Sequence, residues 1–229
     1  MPTNELAAVL SGLNDSARTG HDLSAASAAT IAPLLRVDAV TLSMLSASGS
    51  LELLWADPAN QLGAAVDDLQ YTLGEGPTPE AAHTGHTVSA SDLTASYERW
   101  PVLAPAAHDT AVRGIIAAPL RLGAAVVGVL TGCRREPGSF PPEQVGDVHA
   151  FARVALDLLL QTPTATLTQP PSPDPVLDLH RAEVHQAAGM LTLQLGVTID
   201  QALLHLRLHA WTHNRPLRDV ARRLRLDRP

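Results

Sequence analysis

The sequence has a single cysteine, Cys133, among its 229 residues. A disulfide bond needs two thiols, so no internal disulfide can form, and this fits a protein that works in a reducing compartment such as the cytoplasm. Lysine is absent, and all 16 basic residues are arginines. A GC-rich genome explains this bias most simply, so we assign no chemical role to it.

Long apolar runs are also missing. No run approaches the roughly 20 residues that a helix needs to cross a bilayer, so we expect no membrane contact. The first ten residues carry Glu5 and no basic residue, which predicts that they are not a secretory signal. Hydrophobic residues make up 45% of the sequence, which is ample for a packed core. The length allows one full domain and a small one.

Motifs of catalysis are missing as well. The sequence has no nucleophile motif and no phosphate-binding glycine loop, and Gly74-Glu-Gly76 is too short for a nucleotide fingerprint. His205, His209 and His213 recur at a spacing that could bind a metal, but no cysteine or carboxylate joins their row. Partly charged imidazoles close to phosphate are the interpretation that we favour. We therefore predict that the protein is not an enzyme and has no metal site and no cofactor.

The charge is shared unevenly along the chain. The net charge is -7 overall. Residues 176–229 hold eight arginines and five acidic residues, a net charge of +3. Residues 1–175 hold eight arginines and eighteen acidic residues, a net charge of -10. This asymmetry favours a nucleic-acid-binding segment attached to an acidic domain.

The first two thirds of the chain alternate between helical and strand patterns. Val40, Leu42 and Met44 alternate with polar neighbours and predict a half-buried strand. Two almost wholly apolar segments on either side of Gly123 predict a pair of central strands. Helices that flank an antiparallel sheet make an α+β domain. The predicted helices are 5–18, 22–36, 80–83, 102–111 and 141–160, the predicted strands are 38–45, 51–55, 69–73, 87–89, 112–122 and 124–133, and 74–77 is a predicted loop.

A proline-rich segment divides the chain. Residues 162–175 contain five prolines in fourteen positions. Such a segment cannot form a core and is typical of an extended, semi-rigid linker. The predicted organisation is therefore an N-terminal domain over residues 1–161, a linker over 162–175 and a C-terminal domain over 176–229.

The C-terminal domain has start and end signals for three short amphipathic helices. Gly196 suits a left-handed helix end, and Thr198 with Gln201 forms a capping box for the next helix. Pro216 suits the first turn of the third helix. The pattern predicts an all-α three-helix bundle. Its apolar stripes are Leu177, Val184, Ala188, Leu191 and Leu195; then Ile199, Ala202, Leu203, Leu206 and Ala210; then Leu217, Val220, Ala221 and Leu224.

The landmarks of this bundle resemble those of the ANTAR domain. The resemblance implies a three-helix domain that binds paired RNA hairpins in a leader transcript and prevents transcription termination. Ala188 stands where the family usually has lysine, so one cationic RNA contact is lost. The matching residues are Gln186-Ala-x-Gly-Met-Leu191, Ala202, Leu206-Arg207, Ala210, Asn214 and Leu217-x-x-Val-Ala221.

The N-terminal domain resembles the GAF domains that occur with ANTAR tails. The resemblance implies an antiparallel sheet flanked by helices and a small-molecule ligand in a pocket over the sheet. Thr78 stands where such sensors often carry cysteine, so we expect no thiol-based response at this loop. We call residues 1–161 the sensor domain and residues 176–229 the tail. The matching residues are Leu73-Gly-Glu-Gly-Pro77, Arg99-Trp-Pro101, Val112-Arg-Gly114, Pro119-Leu120 and Gly128-x-Leu130.

Arginines of the third helix are candidate RNA contacts. Arg215, Arg218, Arg222 and Arg225 step by three, four and three residues, on one side of the helix. Guanidinium groups bind phosphate with two hydrogen bonds and stack on bases. A solvated helix face is the alternative interpretation of such a row.

The second helix carries a surplus apolar stripe, Leu204, Leu208 and Trp211. Trp211 lies one turn after Arg207, which matches the arginine of the family, and this pair could form a platform for unstacked bases. The alternative is that the stripe packs against the sensor domain or a second subunit. The predicted RNA-binding residues are Arg207, Trp211, Asn214, Arg215, Arg218 and Arg222.

These observations predict a cytoplasmic, signal-responsive, RNA-binding transcription antitermination regulator. Paired hairpins call for two tails, so we expect a homodimer, joined through the helix at 141–160 or the helices before Arg36. The alternative is a DNA-binding transcriptional regulator whose tail is a helix-turn-helix, with which the turn Gly196-Val-Thr198 is compatible. The ANTAR landmarks favour RNA over DNA.

Overall fold

The computed structural model describes residues 4–46, 49–161, 175–213, 215 and 217–226. The side chains at 175–182, 200, 211, 218, 225 and 226 lie outside this description. The predicted linker, apart from Pro175, and the predicted helix-starting Pro216 also lie outside the described residues. Within the described residues, no helix is long and apolar enough to cross a bilayer.

A five-stranded antiparallel sheet forms the centre of the sensor domain. The strands run in the order β2-β1-β5-β4-β3. The two predicted apolar strands are therefore β4 and β5, next to each other at the middle of the sheet, and they are joined across Gly123, whose φ is +63°. The strands are β1 Ala39–Leu45, β2 Leu51–Trp55, β3 Val88–Ala90, β4 Gly114–Leu122 and β5 Ala125–Arg134.

Helices cover both faces of this sheet. Along β4, Ile116 and Leu120 belong to the core under α1, α2 and α6, whereas Ile115 belongs to the core on the other face. Both sets of side chains are buried, which explains why β4 is apolar at successive positions. The helices are α1 Asn4–Arg18, α2 Ala28–Leu34, α3 Gln61–Leu73, α4 Pro77–Thr84, α5 Leu103–Ala107 and α6 Pro142–Gln161, with 3₁₀ turns at Leu23–Ala25 and Leu93–Ala95. The predicted α+β class is confirmed.

Two predicted elements were wrong. Residues 69–73 were predicted as a strand but end the helix α3. The helix begins at the Asn60 cap, whose side chain accepts a hydrogen bond from Leu62 N at 3.2 Å, and it ends at Gly74 with φ +74°. Residues 22–36 form a 3₁₀ turn and α2 rather than one helix, because the backbone is extended at Ser27. The predicted helix at 102–111 is shortened to α5.

The described part of the tail is a bundle of three helices around small side chains. Gly196 has a φ of +66° and ends the first helix, as predicted. The predicted capping box is formed: Thr198 N donates to Gln201 Oε1 at 3.0 Å, and Gln201 N donates to Thr198 Oγ1 at 3.3 Å. The helices are α7 Pro175–Leu195, α8 Ile199–Thr212 and α9 Leu217–Leu226.

Candidate nucleic-acid interface and sensor pocket

The segment Leu73-Gly-Glu-Gly-Pro77 joins three helices. Gly74 ends α3, and Pro77 begins α4. Between them, Glu75 Oε1 accepts hydrogen bonds from the backbone N–H groups of Val102 and Leu103, both at 2.6 Å, and so caps α5. At Gly76 a Cβ would lie 2.5 Å from the Gln70 side chain, at a φ of +135°. The motif therefore has a structural role in closing the helical side of the sensor domain.

A second motif of the sensor domain converges on one carboxylate. Glu80, in α4, accepts hydrogen bonds from the Arg99 guanidinium and from Trp100 Nε1, the latter at 3.0 Å. The hydrogen bond from Arg99 lowers the pKa of Glu80. The buried indole and the ion pair together hold the segment before α5 against α4.

A cavity of about 410 Å³ lies where the sensor domain meets the tail. Buried polar side chains lie on its sensor side: Asp67 Oδ1 accepts a hydrogen bond from Ser43 Oγ at 2.8 Å. Thr78 is only 1% exposed, and its hydroxyl shares a hydrogen bond of 3.0 Å with Thr131. The tail contributes Leu203 and Arg207 to the wall, so both domains form the cavity.

Direct contacts beside this cavity join the two domains. His185 Nε2, in α7, lies 2.6 Å from Glu52 Oε1 and 3.1 Å from the Tyr71 hydroxyl. Arg207 Nη2, in α8, donates to the Tyr71 carbonyl oxygen at 2.8 Å. The guanidinium carbon of Arg207 also lies 3.1 Å from the place where a Cβ would stand on Gly74. Arg207, a predicted RNA contact, thus faces the sensor domain in this conformation.

Two other predicted RNA contacts lie together, away from Arg207. Arg215 and Arg222 border a shallow cavity of about 380 Å³ with Asp219 and Arg223. Arg222 Nε is 3.6 Å from Glu183 Oε1, and the Glu183 side chain is 9% exposed. This ion pair links α9 to α7. Asn214 and the side chains of Trp211 and Arg218 lie outside the described residues.

A groove of about 500 Å³ opens between α7, α8 and α9. His205 and His209 stand on one wall, and Arg215 and Arg223 on the other. Arg223 was not among the predicted RNA contacts, because it breaks the three-and-four spacing of the arginine row. Arg223 lies on the face of α9 towards α8. A helical wheel of α9 would have separated it from the other arginines of this helix. Within the described residues, no group of three or more His, Cys, Asp or Glu is arranged to hold a metal.

Two residues of the surplus apolar stripe of α8, Leu204 and Leu208, are exposed. Leu204 is 64% exposed and Leu208 is 52% exposed. The sensor domain of the same chain therefore does not cover these two leucines. Packing against a second subunit stays a prediction.

Two family models match separate parts of the chain. Residues 19–156 match the family model of the GAF domain, and residues 179–224 match that of the ANTAR domain. A search of curated proteins found no match.

Among solved structures, the chain is similar to the GAF domain of an Acinetobacter phosphoenolpyruvate-protein phosphotransferase. The identity is 12% and the TM-score 0.51, over 73% of this chain and 97% of that one. It is also similar to the corresponding domain from Coxiella burnetii, at 16% identity and a TM-score of 0.49, over 72% and 95% of the two chains. A third similar structure is a free methionine-R-sulfoxide reductase from Neisseria meningitidis. Its identity to this chain is 18% and its TM-score 0.49, over 72% of this chain and 96% of that one. At 12% identity, the similarity to the Acinetobacter domain shows the fold alone.

Proposed function

This chain belongs to the GAF family and carries an ANTAR domain behind its GAF domain, and on that premise we propose that it is a signal-responsive antitermination regulator. The architecture is that of a regulator with a sensor domain and an RNA-binding antitermination domain. The finer proposal is that the tail holds a leader transcript in a paired-hairpin form that excludes the terminator. The protein then acts in the cytoplasm, where transcripts are made.

One observation supports RNA contact most directly. Arg215, Arg222 and Arg223 lie around one shallow cavity on the surface of the tail. Guanidinium groups suit phosphate oxygens because they donate two parallel hydrogen bonds. The net charge of +3 on residues 176–229 adds a favourable long-range term for a polyanion.

The domain junction supports control by a small molecule. The cavity of about 410 Å³ has walls from both domains, so a ligand there would change the contacts that hold the tail. Arg207 donates to the Tyr71 carbonyl at this junction. We propose that a ligand shifts the balance between this docked arrangement and one in which Arg207 is released for RNA. The sensor domain then binds its ligand without chemical conversion.

The experiment is a comparison of nucleic acids at matched salt. The purified full chain should prefer a tandem-hairpin RNA to duplex DNA of equal length and charge. Arg222→Ala should weaken RNA binding, whereas Arg18→Ala, an exposed arginine on α1, should not. Equal affinity for RNA and DNA would contradict the proposal, because the phosphate term alone does not discriminate. A preference for duplex DNA would favour the helix-turn-helix alternative.

The assembly is a separate part of the proposal. Two hairpins require two tails, and a symmetric homodimer supplies them with one kind of contact. Leu160, on α6, and Leu208, on α8, are exposed apolar residues that such a contact could bury. Light scattering with and without RNA should give the mass of a dimer in at least one state. A monomer in both states would contradict the homodimer.

A further inference from the structure

One face of α3 runs along the cavity between the sensor domain and the tail. Asp67, Gln70, Tyr71 and Gly74 all line this cavity. Their spacing is i, i+3, i+4 and i+7, so they form one stripe along the helix. Because the stripe spans two helical turns, Asp67 and Gly74 are about 10 Å apart along the axis. The cavity, of about 410 Å³, therefore has two separate ends on this stripe.

The two ends of the stripe carry opposite charges. Asp67 is 5% exposed at one end, and its carboxylate accepts a hydrogen bond from Ser43. At the other end, Arg207 of the tail lies against Gly74, with Nη1 3.0 Å from the place where a Cβ would stand. Among the described residues that line the cavity, Asp67 is the one carboxylate and Arg207 the one guanidinium. A ligand that fills the cavity therefore meets a negative group at one end and a positive group at the other.

Apolar side chains supply much of the remaining wall. Leu51 comes from β2, Ala82 from α4 and Leu203 from α8. Two of the polar side chains in the wall are already bonded within the protein: Gln70 Oε1 accepts a hydrogen bond from Thr78 N at 2.9 Å, and the Thr78 hydroxyl is bonded to that of Thr131. Burial of a hydrocarbon segment against such a wall is favourable in proportion to its area, whereas burial of a further charge there is costly.

Arg207 gives a ligand in this cavity a contact with the tail. Arg207 Nη2 donates to the Tyr71 carbonyl oxygen at 2.8 Å, at the end of α3, where the last carbonyls of a helix favour a cation. A guanidinium group has five N–H donors, so it can hold this carbonyl and also bind a carboxylate. A ligand that contacts Asp67 and Arg207 at once does so only while the tail is docked, and it therefore stabilises the docked arrangement.

We propose that the cavity binds a small zwitterion in which a short alkyl chain separates an ammonium group from a carboxylate. The ammonium group pairs with Asp67, and the carboxylate pairs with Arg207. One hydrogen-bond length at each end, subtracted from the span of the stripe, leaves about 5 Å between the two ligand groups. This distance is longer than in an α-amino acid, where both groups are attached to the same carbon.

This assignment rests on the proposed sensor function and gives the direction of control. The bound zwitterion holds the tail on the sensor domain and keeps Arg207 at the junction. It therefore opposes RNA binding, because a ligand that prefers the docked state works against a ligand that prefers the released one.

The test is a calorimetric titration of the full chain with glycine, γ-aminobutyrate and δ-aminovalerate. γ-Aminobutyrate and δ-aminovalerate should bind more tightly than glycine, because their charged groups match the spacing of the two ends of the cavity. Butyrate and butylamine each lack one charge and are the matched ligand controls. Each should bind more weakly than γ-aminobutyrate, on the order of 10-fold or more, as expected for losing one hydrogen bond to a charged group. Tightest binding of glycine, equal binding of butyrate and γ-aminobutyrate, or no binding by any of them would overturn the proposal.

Two variants locate the ends of the ligand. Asp67→Asn keeps an acceptor for Ser43 and should weaken γ-aminobutyrate binding on the order of 10- to 100-fold, with butyrate binding unchanged. Arg207→Gln should weaken the binding of both compounds. Asp109→Asn and Arg135→Gln, at exposed positions outside the cavity, are the matched controls and should change neither affinity. If Asp67→Asn binds γ-aminobutyrate like the wild type, the ammonium site is wrong.

Hydrogen exchange and RNA binding then test the direction of control. Saturating γ-aminobutyrate should slow exchange in α7–α9 and weaken the binding of a tandem-hairpin RNA to the full chain. Faster exchange in the tail, or unchanged RNA affinity, would overturn the proposed stabilisation of the docked state. If γ-aminobutyrate binds and slows exchange but the chain binds no hairpin RNA, the ligand site stands and the proposed antitermination function is wrong. If hairpin RNA binds and none of the zwitterions does, the ligand site is wrong and the RNA-binding function stands.

Discussion

The sensor domain and the tail are built on different kinds of core. The sensor domain packs large side chains on both faces of its sheet, and Phe151, Ile116 and Leu103 are fully buried. In the tail, five of the eleven residues of the buried cluster are alanines, and one member, Tyr71, belongs to the sensor domain. Small side chains let the three helices approach closely but bury little apolar area per residue.

This difference shows how stability and regulation can be divided within one chain. A small domain buries a smaller fraction of its surface and is correspondingly marginal. Tyr71, from α3 of the sensor domain, packs in the buried cluster of the tail. His185 of the tail also contacts Glu52 of the sensor domain. We infer that the sensor domain folds as the more stable unit and that docking stabilises the tail.

The largest expected effect is in the core of the sensor domain. Phe151→Ala should lower the free energy of unfolding by about 3–5 kcal/mol, because it leaves a cavity beneath the sheet. Phe151 lies 5.8 Å from the Trp55 ring, so denaturant melts followed by tryptophan fluorescence report on this core. Leu122→Ala, at an exposed position near the end of β4, is the control and should change little. A loss below 1 kcal/mol for Phe151→Ala would contradict the picture of a tightly packed sensor core.

A smaller effect is expected from overfilling the tail. Ala202 is 0% exposed at the centre of the three helices, so Ala202→Leu forces the helices apart and should cost about 1–3 kcal/mol. Hydrogen exchange should rise in α7–α9 and stay unchanged in the strands of the sheet. Leu193→Ala, at an exposed position on α7, is the matched control. Equal increases in both domains would mean that they unfold as one unit.

The ion pair on α4 should make the sensor domain sensitive to acid. Arg99 lowers the pKa of Glu80, so ionised Glu80 stabilises the folded state at neutral pH, and this contribution is lost as pH falls through the lowered pKa. Glu80→Gln should therefore cost about 1 kcal/mol at pH 7, given the partial exposure of the pair, and its deficit should shrink in acid. Urea melts at pH 7 and at pH 3 measure this. Glu98→Gln, at a neighbouring exposed position, should show no such trend.

The smallest expected effect is at the single thiol. Burial raises the pKa of Cys133 to about 12, and only the thiolate reacts with alkylating agents. Iodoacetamide at pH 8 should leave Cys133 unmodified in the folded protein and modify it after unfolding, as read by mass spectrometry. Leu193→Cys, at an exposed position on α7, should react quickly at its introduced thiol under the same conditions. Rapid labelling of Cys133 would show that the sensor core opens more readily than we infer.

Much of the fold could be predicted because its signals are local. The apolar segments on either side of Gly123 predicted the central hairpin, and Gly196 with the Thr198 capping box predicted two helix ends of the tail. The strand predicted at residues 69–73 failed for a physical reason. Leu62, Val66, Leu69 and Leu73 pack on one core as a helical face, and the short apolar run at the end of that face has no clear period by itself.

The candidate site divides in the same way. The sequence by itself determined which residues carry positive charge and which helices carry them, since composition and helical spacing are properties of neighbouring residues. Only the tertiary structure decided where those charges point. Arg207 faces the sensor domain, where it donates to the Tyr71 carbonyl oxygen. Tyr71 is 136 positions away in the chain, so no local pattern predicts this contact. The groove requires Leu191, His209 and Arg223 from three helices at once, and no local pattern records such a meeting, because packing of the alanine-rich core fixes it.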